Sequence, residues 1–383
     1  MRAVRASVLY TGRPHEVLHD VYLVYEGSKV KAITKERPEG AEVADLEGAV
    51  VTPALIDAHC HIGMSRSGEH PSESETNEKY DSVLPLVDAL SSVYMDDKAF
   101  RESIEFGVLY SCVLPGSGNI IGGRGAVIRN YGADVEEALI RHAGVKVALG
   151  FNPRSTTDWK GTRPFTRMGA VALLRKWLER ARAAMRLVEQ GKKALEEIEP
   201  EVRFLFPVVR GEETLRVHVH KSDDIVSLLM LRREYGLRVV VDHACDVNSR
   251  LTFEKLRREG VPLVYGPIDA FAYKTELRHE SYKNVRHLVE VRPLFGLMSD
   301  HPVVLQRNLF LQLRFFRRYG MSKSECISVV TLNNAKILGV DDVLGTLEPG
   351  KWASFVAWSG DPFSLESYPV LVVGEGRVLH EEG

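Results

Sequence analysis

Two histidines separated by one residue end an apolar run early in the chain. His59 and His61 lie in the stretch VTPALIDAHCHIGM, with Cys60 between them. Alternate side chains of a β-strand share a face, so both imidazoles point the same way while Cys60 points to the other face. Their Cα atoms are then expected roughly 6.5 to 7 Å apart, and both rings can reach one metal ion at about 2.0 to 2.1 Å. Two adjacent buried imidazoles without a partner are costly, so this first histidine pair predicts half of a metal site.

A second histidine pair with the same spacing ends another apolar run. His218 and His220 close LRVHVHK, His243 ends GLRVVVDHA, and Asp300 ends LFGLMSD. Taken singly, each of these residues could be a hydrogen-bonded group at a strand end. His218 and His220 share a strand face, so their spacing does not decide which of them binds an ion. It is the coincidence of four such strand ends that indicates a site.

The order of elements explains how such distant residues could meet. Apolar strand-like segments alternate with helical ones between residues 51 and 339, which is typical of a parallel sheet with crossover helices. Eight strand candidates are present, and they read AVVTPALIDAH, GVLYSCVLPG, GAVIRN, VKVALG, LRVHVH, GLRVVVDHA, VPLVYGP and LFGLMSD. Eight β/α units predict an α/β fold of the (β/α)8 TIM-barrel type, whose chemistry lies at the C-terminal ends of the strands. The histidines and Asp300 would then converge on one mouth.

The two ends of the chain differ from its middle. Residues 1–50 alternate and turn like a β-meander, and residues 340–383 contain short strands such as VLVVGEGRVLH, interrupted by glycines. This arrangement predicts a discontinuous β-sandwich domain made from 1–50 and 340–383, with the barrel at 51–339.

Composition and charge argue against several other classes of protein. Fifty Lys and Arg against 52 Asp and Glu give the 383-residue chain a net charge of −2, and arginine-rich pieces such as LLRKWLERARAAMR have helical spacing, so nucleic acid is not the expected partner. No apolar run reaches the ~18 to 20 residues of a membrane span, and MRAVRASVLYTG lacks a signal peptide's apolar core. The four cysteines are scattered without a C-x-x-C pair. We expect a cytoplasmic protein with a small-molecule substrate.

Imidazole and carboxylate groups at these positions favour a divalent first-row ion. Zinc suits them best, with Mn²⁺ or Fe²⁺ as alternatives. Three histidines and one aspartate would leave room for a water molecule, whose pKa such an ion lowers to about 7. The set therefore predicts hydrolytic chemistry.

The motifs together resemble the amidohydrolase superfamily of metal-dependent hydrolases. PALIDAHCH is similar to that family's P-G-L-I-D-x-H-x-H, VDHA and MSDH stand at later strand ends, and LNNAKILGVDDVLGTLEPGKWASFVAWSGDPF resembles its closing segment. PGSGNIIGGRGAVIRN, HVHKSDDI and YGPID are most similar to the imidazolonepropionase-like members. The resemblance implies a (β/α)8 barrel with a small β-sandwich. It also implies hydrolysis of a carbon–nitrogen bond in a small amide, a cyclic amide, an N-acyl amino acid or a dipeptide. Many such relatives are homo-oligomers.

The resemblance further implies which residues bind the ion and move protons. His59, His61, His218 and Asp300 would hold it, and His243 would either join them or polarise the substrate carbonyl. Asp300 would also act as general base, taking a proton from water and passing it to the leaving nitrogen.

The number of ions is expected to be one. Two-metal members of the family carry a bridging Lys or Glu at the end of the fourth strand, whereas VKVALGFNPR has Gly150 and Phe151 there. Lys146 is expected to lie too early in that strand to reach the site. A single Zn²⁺ is therefore predicted.

Substrate contacts are predicted from groups near the strand ends. If His218 is the ligand of its pair, His220 would face substrate. The glycine-rich loop from Pro115 to Gly125 can approach a ligand closely; it contains Asn119 and also Arg124, which could bind a carboxylate through two hydrogen bonds. Tyr265, at the end of LVYGP, could donate a hydrogen bond, although a barrel tyrosine is often a core residue.

Two other functions are compatible with parts of this pattern. The same ligands would support a deaminase that releases ammonia from a heterocycle. A barrel of this family that has lost its metal could serve as a non-catalytic scaffold, but that alternative predicts an eroded ligand set, and all five candidate ligands are present.

Overall fold

The computed structural model describes residues 1–46, 48–155, 162–268 and 270–382. Two sheets organise these residues. Their strands are β1 (Arg2–Tyr10), β2 (Val17–Glu26), β3 (Lys29–Thr34), β4 (Glu42–Ala44), β5 (Val50–Pro53), β6 (Leu55–Cys60), β7 (Val108–Val113), β8 (Ile121–Arg129), β9 (Leu139–Ala148), β10 (Thr214–Val219), β11 (Arg238–His243), β12 (Leu263–Tyr265), β13 (Phe295–Leu297), β14 (Phe355–Trp358), β15 (Pro369–Gly374) and β16 (Arg377–Glu381).

Most α-helices lie, in chain order, between the strands of the sheet formed by β6 to β13. They are α1 (Lys98–Glu105), α2 (Val135–Ala138), α3 (Asn152–Ser155), α4 (Arg167–Glu189), α5 (Pro200–Phe204), α6 (Phe206–Val209), α7 (Ser222–Tyr235), α8 (Arg250–Glu259), α9 (Val285–Val291), α10 (Leu313–Arg318), α11 (Lys323–Ser328) and α12 (Asn334–Leu338). Short 3₁₀ turns include Thr275–Leu277, and a π-helical turn covers Val329–Asn333. Within the described ranges no helix has the length and apolar character of a membrane span.

The barrel sheet runs in chain order from β6 to β13 and contains the eight strand candidates, except that the start of the first candidate, Val50–Pro53, is β5 of the other sheet. Its strands are parallel except for β8, which pairs antiparallel with both β7 and β9. The prediction of eight parallel β/α units is therefore wrong at this strand. A parallel crossover needs a dozen or more residues, and only residues 114–120 separate β7 from β8, so the chain has to turn back directly.

The sheet is nearly closed where β6 meets β13, and a side chain bridges that seam. Asn334, the first residue of α12, donates to the carbonyl oxygens of Ile56 at 2.6 Å and Leu297 at 2.9 Å, and its Oδ1 accepts from the Leu297 amide at 3.1 Å. Gly296 leaves room for it, since a Cβ there would lie 1.8 Å from Asn334 Oδ1. Nearer the mouth the seam is closed by the backbone, with the Asp300 amide 3.1 Å from the His59 oxygen.

Both ends of the chain contribute to the other sheet. Its order is β16–β15–β14–β5–β1–β2–β3, with β4 beside β1, and one face packs in a separate apolar cluster that includes Leu9, Leu23, Val51 and Phe355. Strand β5 runs in this sheet, and β6 enters the barrel after the single residue Ala54. Because this link between the two sheets is a single residue, it fixes the position of β6 and of the first histidine pair at its end. That the ends form a separate β-sandwich domain stays a prediction.

Candidate metal centre

The strand ends bring the predicted histidines together at one end of the barrel. The rings of the first pair, His59 and His61, have centroids 5.4 Å apart, and those of the second pair, His218 and His220, 4.7 Å apart. His243 lies between the pairs, with its ring centroid 4.9 Å from His59 and 4.3 Å from His218. The coincidence of strand ends in the sequence thus corresponds to a single cluster.

Asp300 lies against the first pair. Its Oδ1 is 3.3 Å from His61 Nε2 and 3.6 Å from His59 Nε2. The other nitrogen of His61, Nδ1, is 2.7 Å from the carbonyl oxygen of Leu114, which makes Nδ1 the protonated atom and leaves the Nε2 lone pair facing Asp300. Asp300 has φ +53° and His243 φ +80°, a left-handed backbone that is costly for non-glycine residues and is characteristic of functional sites.

Lys146 also reaches this cluster, contrary to the prediction that it lies too early in its strand. Its Nζ is 3.0 Å from His59 Nε2, and the side chain is fully buried. Strand register pairs Lys146 with Arg216, two residues before the level of His218, but a lysine side chain is long enough to span that distance. Burial lowers the pKa of the Lys146 ammonium to about 8. The prediction of a single ion from the absence of a lysine at the site is therefore not supported, because Lys146 is present there.

A buried ion pair lies beneath the first histidine pair. Arg216 Nη2 is 2.7 Å from Asp242 Oδ1 and donates to the Ala58 carbonyl at 2.8 Å. Asp242 Oδ2 is in turn 3.2 Å from His59 Nδ1. A carboxylate behind a ligating imidazole orients the ring and raises its basicity. Sequence reasoning missed both residues, although a charged residue at an inward position of an otherwise apolar strand was a usable signal.

The second pair has fewer partners. His218 Nδ1 and both ring nitrogens of His220 are buried without a hydrogen-bond partner. His243 Nδ1, in contrast, lies 2.9 Å from the Gly266 oxygen. Two groups of possible ligand atoms are present, and within each group the atoms lie within 4.8 Å of one another. One group takes a ring nitrogen from each of His218, His220 and His243. The other takes a ring nitrogen from His59 and His243 and a carboxylate oxygen from Asp300.

Glu276, on the connection between β12 and β13, faces the second pair. Its Oε1 is 3.5 Å from His218 Nε2 and 3.8 Å from His220 Nε2. Lys274 Nζ holds the same oxygen at 2.8 Å, and the Phe151 amide donates to Oε2 at 2.8 Å. Glu276 is 2% exposed. Neither Lys274 nor Glu276 was predicted, because nothing in the spacing of this irregular connection points toward the barrel mouth.

The protonation of the cluster suits a metal ion. Burial, reinforced by nearby cationic groups, lowers the pKa well below its usual value for four of the histidines, namely His59, His218, His220 and His243. Neutral imidazoles keep a lone pair for coordination. Buried nitrogens without partners are otherwise costly, so the residues present fit a divalent ion.

Three residues predicted to contact substrate make other contacts. The Arg124 guanidinium lies 4.9 Å from the centre of the Phe204 ring on α5, and its described contacts include none of the histidines. The buried Asn119 amide donates to the carbonyl oxygens of Glu78 and Asp81, so it anchors the polar stretch that follows β6. Tyr265 is buried, with its ring edge-on to Phe253, in agreement with a core position. His220 alone of the four lies in the cluster.

Comparisons with known proteins agree with this geometry. Residues 212–378 match the model of the Amidohydrolase family. An amidohydrolase from Thermotoga maritima MSB8 has a structure similar to this one, with a TM-score of 0.91 and 30% sequence identity over 100% of both chains.

Curated relatives are similar over most of the chain. Amidohydrolase tasK of Hapsidospora irregularis is 26% identical over 92% of this chain, which spans 38% of that longer protein. The imidazolonepropionase of Thermoplasma acidophilum is 21% identical over 94% of this chain and 89% of its own length. With the barrel, the histidine cluster and these similarities in agreement, the chain belongs to the amidohydrolase superfamily, among its imidazolonepropionase-like members, and is a hydrolase of carbon–nitrogen bonds.

Proposed function

We propose that the protein hydrolyses a carbon–nitrogen bond of a small amide, a cyclic amide, an N-acyl amino acid or a dipeptide, and that it requires a divalent ion, with Zn²⁺ as the preferred one. The observation that carries this proposal is the cluster of five imidazoles, four of them buried and neutral, with Asp300 at its edge. Asp300 Oδ1 is within 3.6 Å of both rings of the first pair. A carboxylate and lone pairs that point into one space are a ligand set for a hydrolytic ion.

The first pair and Asp300 would hold the ion, with His218 and His243 closing the other side of the cluster. When bound, a divalent ion lowers the pKa of water to about 7 and polarises a carbonyl oxygen. Sequence alone favoured one ion. Lys146 lies beside His59, and two overlapping groups of possible ligands share His243. The number of bound ions therefore has to be measured.

Proton transfer is assigned to Asp300. It lines a cavity that also reaches His220, so its carboxylate can accept a proton from water at the cluster and donate it to a leaving nitrogen on the cavity side. His243, with Nδ1 on the Gly266 oxygen, has Nε2 available to bind the ion or to polarise the substrate carbonyl.

The cavity over the cluster is the proposed substrate site. Its charged and imidazole groups are His220, Lys274, Glu280 and Asp300. Most of the other lining residues are apolar or aromatic, among them Phe271, Tyr273, Leu277 and Val303. Pockets of this make-up, apolar with a few convergent polar groups, are typical of small-molecule sites. In its chemistry, though not in its volume of about 20 Å³, this lining suits an amide carried by a partly apolar small molecule.

A panel of N-acyl amino acids, dipeptides, cyclic amides and amino-heterocycles tests this proposal. Zinc-loaded protein should release an amine or open a ring with at least one of the first three classes, and the Asp300→Asn variant should be inactive on the same compound. Ammonia release from heterocycles alone would favour a deaminase instead. Less than a tenth of a metal ion per chain, not restored by zinc, manganese or iron, would overturn the proposal.

A further inference from the structure

We propose that Glu280 binds a primary ammonium group of the substrate, so that the protein acts on amides of free amino acids, such as dipeptides, in preference to N-acyl amino acids. This inference rests on the proposed function and deepens it, because it names the group that the cavity over the cluster recognises.

The cavity over the cluster has room for one small group. Its volume is about 20 Å³, and a water-sized group needs about 10 to 15 Å³. An ammonium group is of this size, whereas a carboxylate or the ring of a cyclic amide is larger. Asp300 and Glu280 both line the cavity, and Asp300 also faces the first histidine pair. In an amino acid amide a single carbon atom separates the ammonium from the carbonyl, so an ammonium in the cavity keeps the scissile bond close to Asp300.

Glu280 is a carboxylate of this cavity that has no cation beside it. Within the described ranges no group donates a hydrogen bond to its side chain, and His279, the residue before it, pairs with Asp246 instead. Burial and the nearby Asp246 carboxylate raise the pKa of Glu280, which is the direction expected of a carboxylate without a cation. An ammonium group would supply both the missing charge and a charge-assisted hydrogen bond.

Lys274 lines the same cavity, but its charge is already engaged. Its Nζ is 2.8 Å from Glu276 Oε1 and 3.0 Å from Asn152 Oδ1, and its side chain is 6% exposed. A carboxylate ligand would have to compete with Glu276 for this ammonium. Because Lys274 and Glu276 balance one another, the charge of Glu280 remains in excess. Apolar neighbours in the cavity wall, Leu277 among them, strengthen its attraction for a cation by lowering the local dielectric constant.

Two compounds that differ only in the ammonium group test the proposal. Glycyl-L-leucine and N-acetyl-L-leucine contain the same amide bond to leucine, and only the first carries an amino group. With zinc-loaded wild type, kcat/KM for glycyl-L-leucine should be roughly 10- to 100-fold higher, the size expected for a hydrogen bond between charged groups. Glu280→Gln should bring this ratio close to one. Glu290→Gln, at an exposed ion pair with Arg250, is the matched control and should keep the wild-type ratio.

The possible failures are distinguishable. A wild-type ratio of one or less, or a ratio that Glu280→Gln leaves unchanged, overturns only the present inference. Wild type that hydrolyses no compound of the panel contradicts the proposed function itself. If neither leucine compound is hydrolysed, both stay intact and calorimetry decides: glycyl-L-leucine should bind zinc-loaded wild type at least tenfold more tightly than N-acetyl-L-leucine, and Glu280→Gln should abolish the difference. Equal dissociation constants, or no detectable binding of glycyl-L-leucine, would overturn the assignment of Glu280.

Discussion

The two histidine pairs have the same spacing and opposite surroundings. Both rings of the first pair have close partners: Asp242, Lys146 and Asp300 lie around them, and the Leu114 oxygen fixes His61. The second pair has three buried nitrogens without a hydrogen-bond partner, against one, His59 Nδ1, in the first pair, and its nearby carboxylate, Glu276, comes from an irregular connection. Spacing within a strand therefore determines only the direction of the side chains. Their chemistry depends on residues that other parts of the chain bring to them.

The partners also differ in how firmly the fold holds them. Asp242 and Lys146 come from strands β11 and β9, inside the barrel sheet, and Asp300 lies three residues after the end of β13. Glu276 comes from a single 3₁₀ turn in a long connection. Perturbing the first pair is thus expected to affect both the chemistry and the stability of the barrel, whereas perturbing the second should affect mainly ion binding.

The largest expected effect follows from substitution of Asp300, the carboxylate beside the first pair. Asp300→Asn removes the group assigned to accept and donate the proton, and it weakens the ligand set. We expect the kcat on a substrate found with the compound panel to fall roughly 10²- to 10⁴-fold. Asp361→Asn, at a partly exposed ion pair with Lys323, is the control. An Asp300→Asn enzyme with the wild-type rate would show that the first pair is not the catalytic side.

Arg216→Met tests whether the support of the first pair is also structural. It leaves the fully buried Asp242 carboxylate without its cation, and breaking a buried pair in this way costs about 3 to 5 kcal/mol of unfolding free energy. Urea denaturation measures the loss. Arg250→Met, whose partner Glu290 is exposed, should change the same quantity by about 0 to 1 kcal/mol. Equal effects of the two substitutions would remove this distinction between buried and surface pairs.

Asn334→Ala tests the seam next to the first pair. The substitution removes the three hydrogen bonds by which the Asn334 side chain joins the first barrel strand to the last. Each has a net contribution of about 1 kcal/mol, so the free energy of unfolding should fall by about 3 kcal/mol. The neighbouring Asn333→Ala removes one bond, to the Phe295 oxygen, and should cost about 1 kcal/mol. The seam would not depend on Asn334 if both variants lost the same amount. Strand β10, which carries His218 and ends just before His220, is hydrogen-bonded by backbone on both sides and has no such seam.

Ion binding gives the smallest of these stability effects. An ion that binds only the folded protein stabilises it by about 2.7 kcal/mol at a concentration 100 times its Kd. Zinc at that concentration should raise the unfolding free energy of wild type by this amount, measured in urea after chelator treatment, and the increase should be much smaller in His61→Asn. A zinc effect that is the same in both proteins would place the ion away from the first pair.

Much of the barrel could be predicted from periodicity and turn residues. All eight strand candidates contribute a strand to one sheet, because short apolar runs bounded by Gly and Pro leave little choice, although the first candidate is divided at Ala54 between the two sheets. The direction of β8 was missed, although the connection from residue 114 to 120 is too short for a helix, and GAVIRN carries no sign of its orientation. Connection length was the neglected signal.

The site residues that stand at the ends of barrel strands could be predicted from the sequence. Residues that reach the site through a long side chain or from a loop could not. His59, His61, His218, His243 and Asp300 follow from strand ends in a barrel. Lys146 was placed too early because Cα position was considered without side-chain length, and Glu276 lies in a segment without periodicity. Arg124 was proposed for a loop but lies on β8 and faces Phe204, as the antiparallel turn dictates.

Anomalous diffraction from crystals of the zinc-loaded protein tests the central claim most directly. The account predicts a zinc peak about 2.0 to 2.1 Å from a nitrogen of the first pair and close to Asp300. Fully loaded protein with zinc only at surface residues, and none within the cluster, would contradict it.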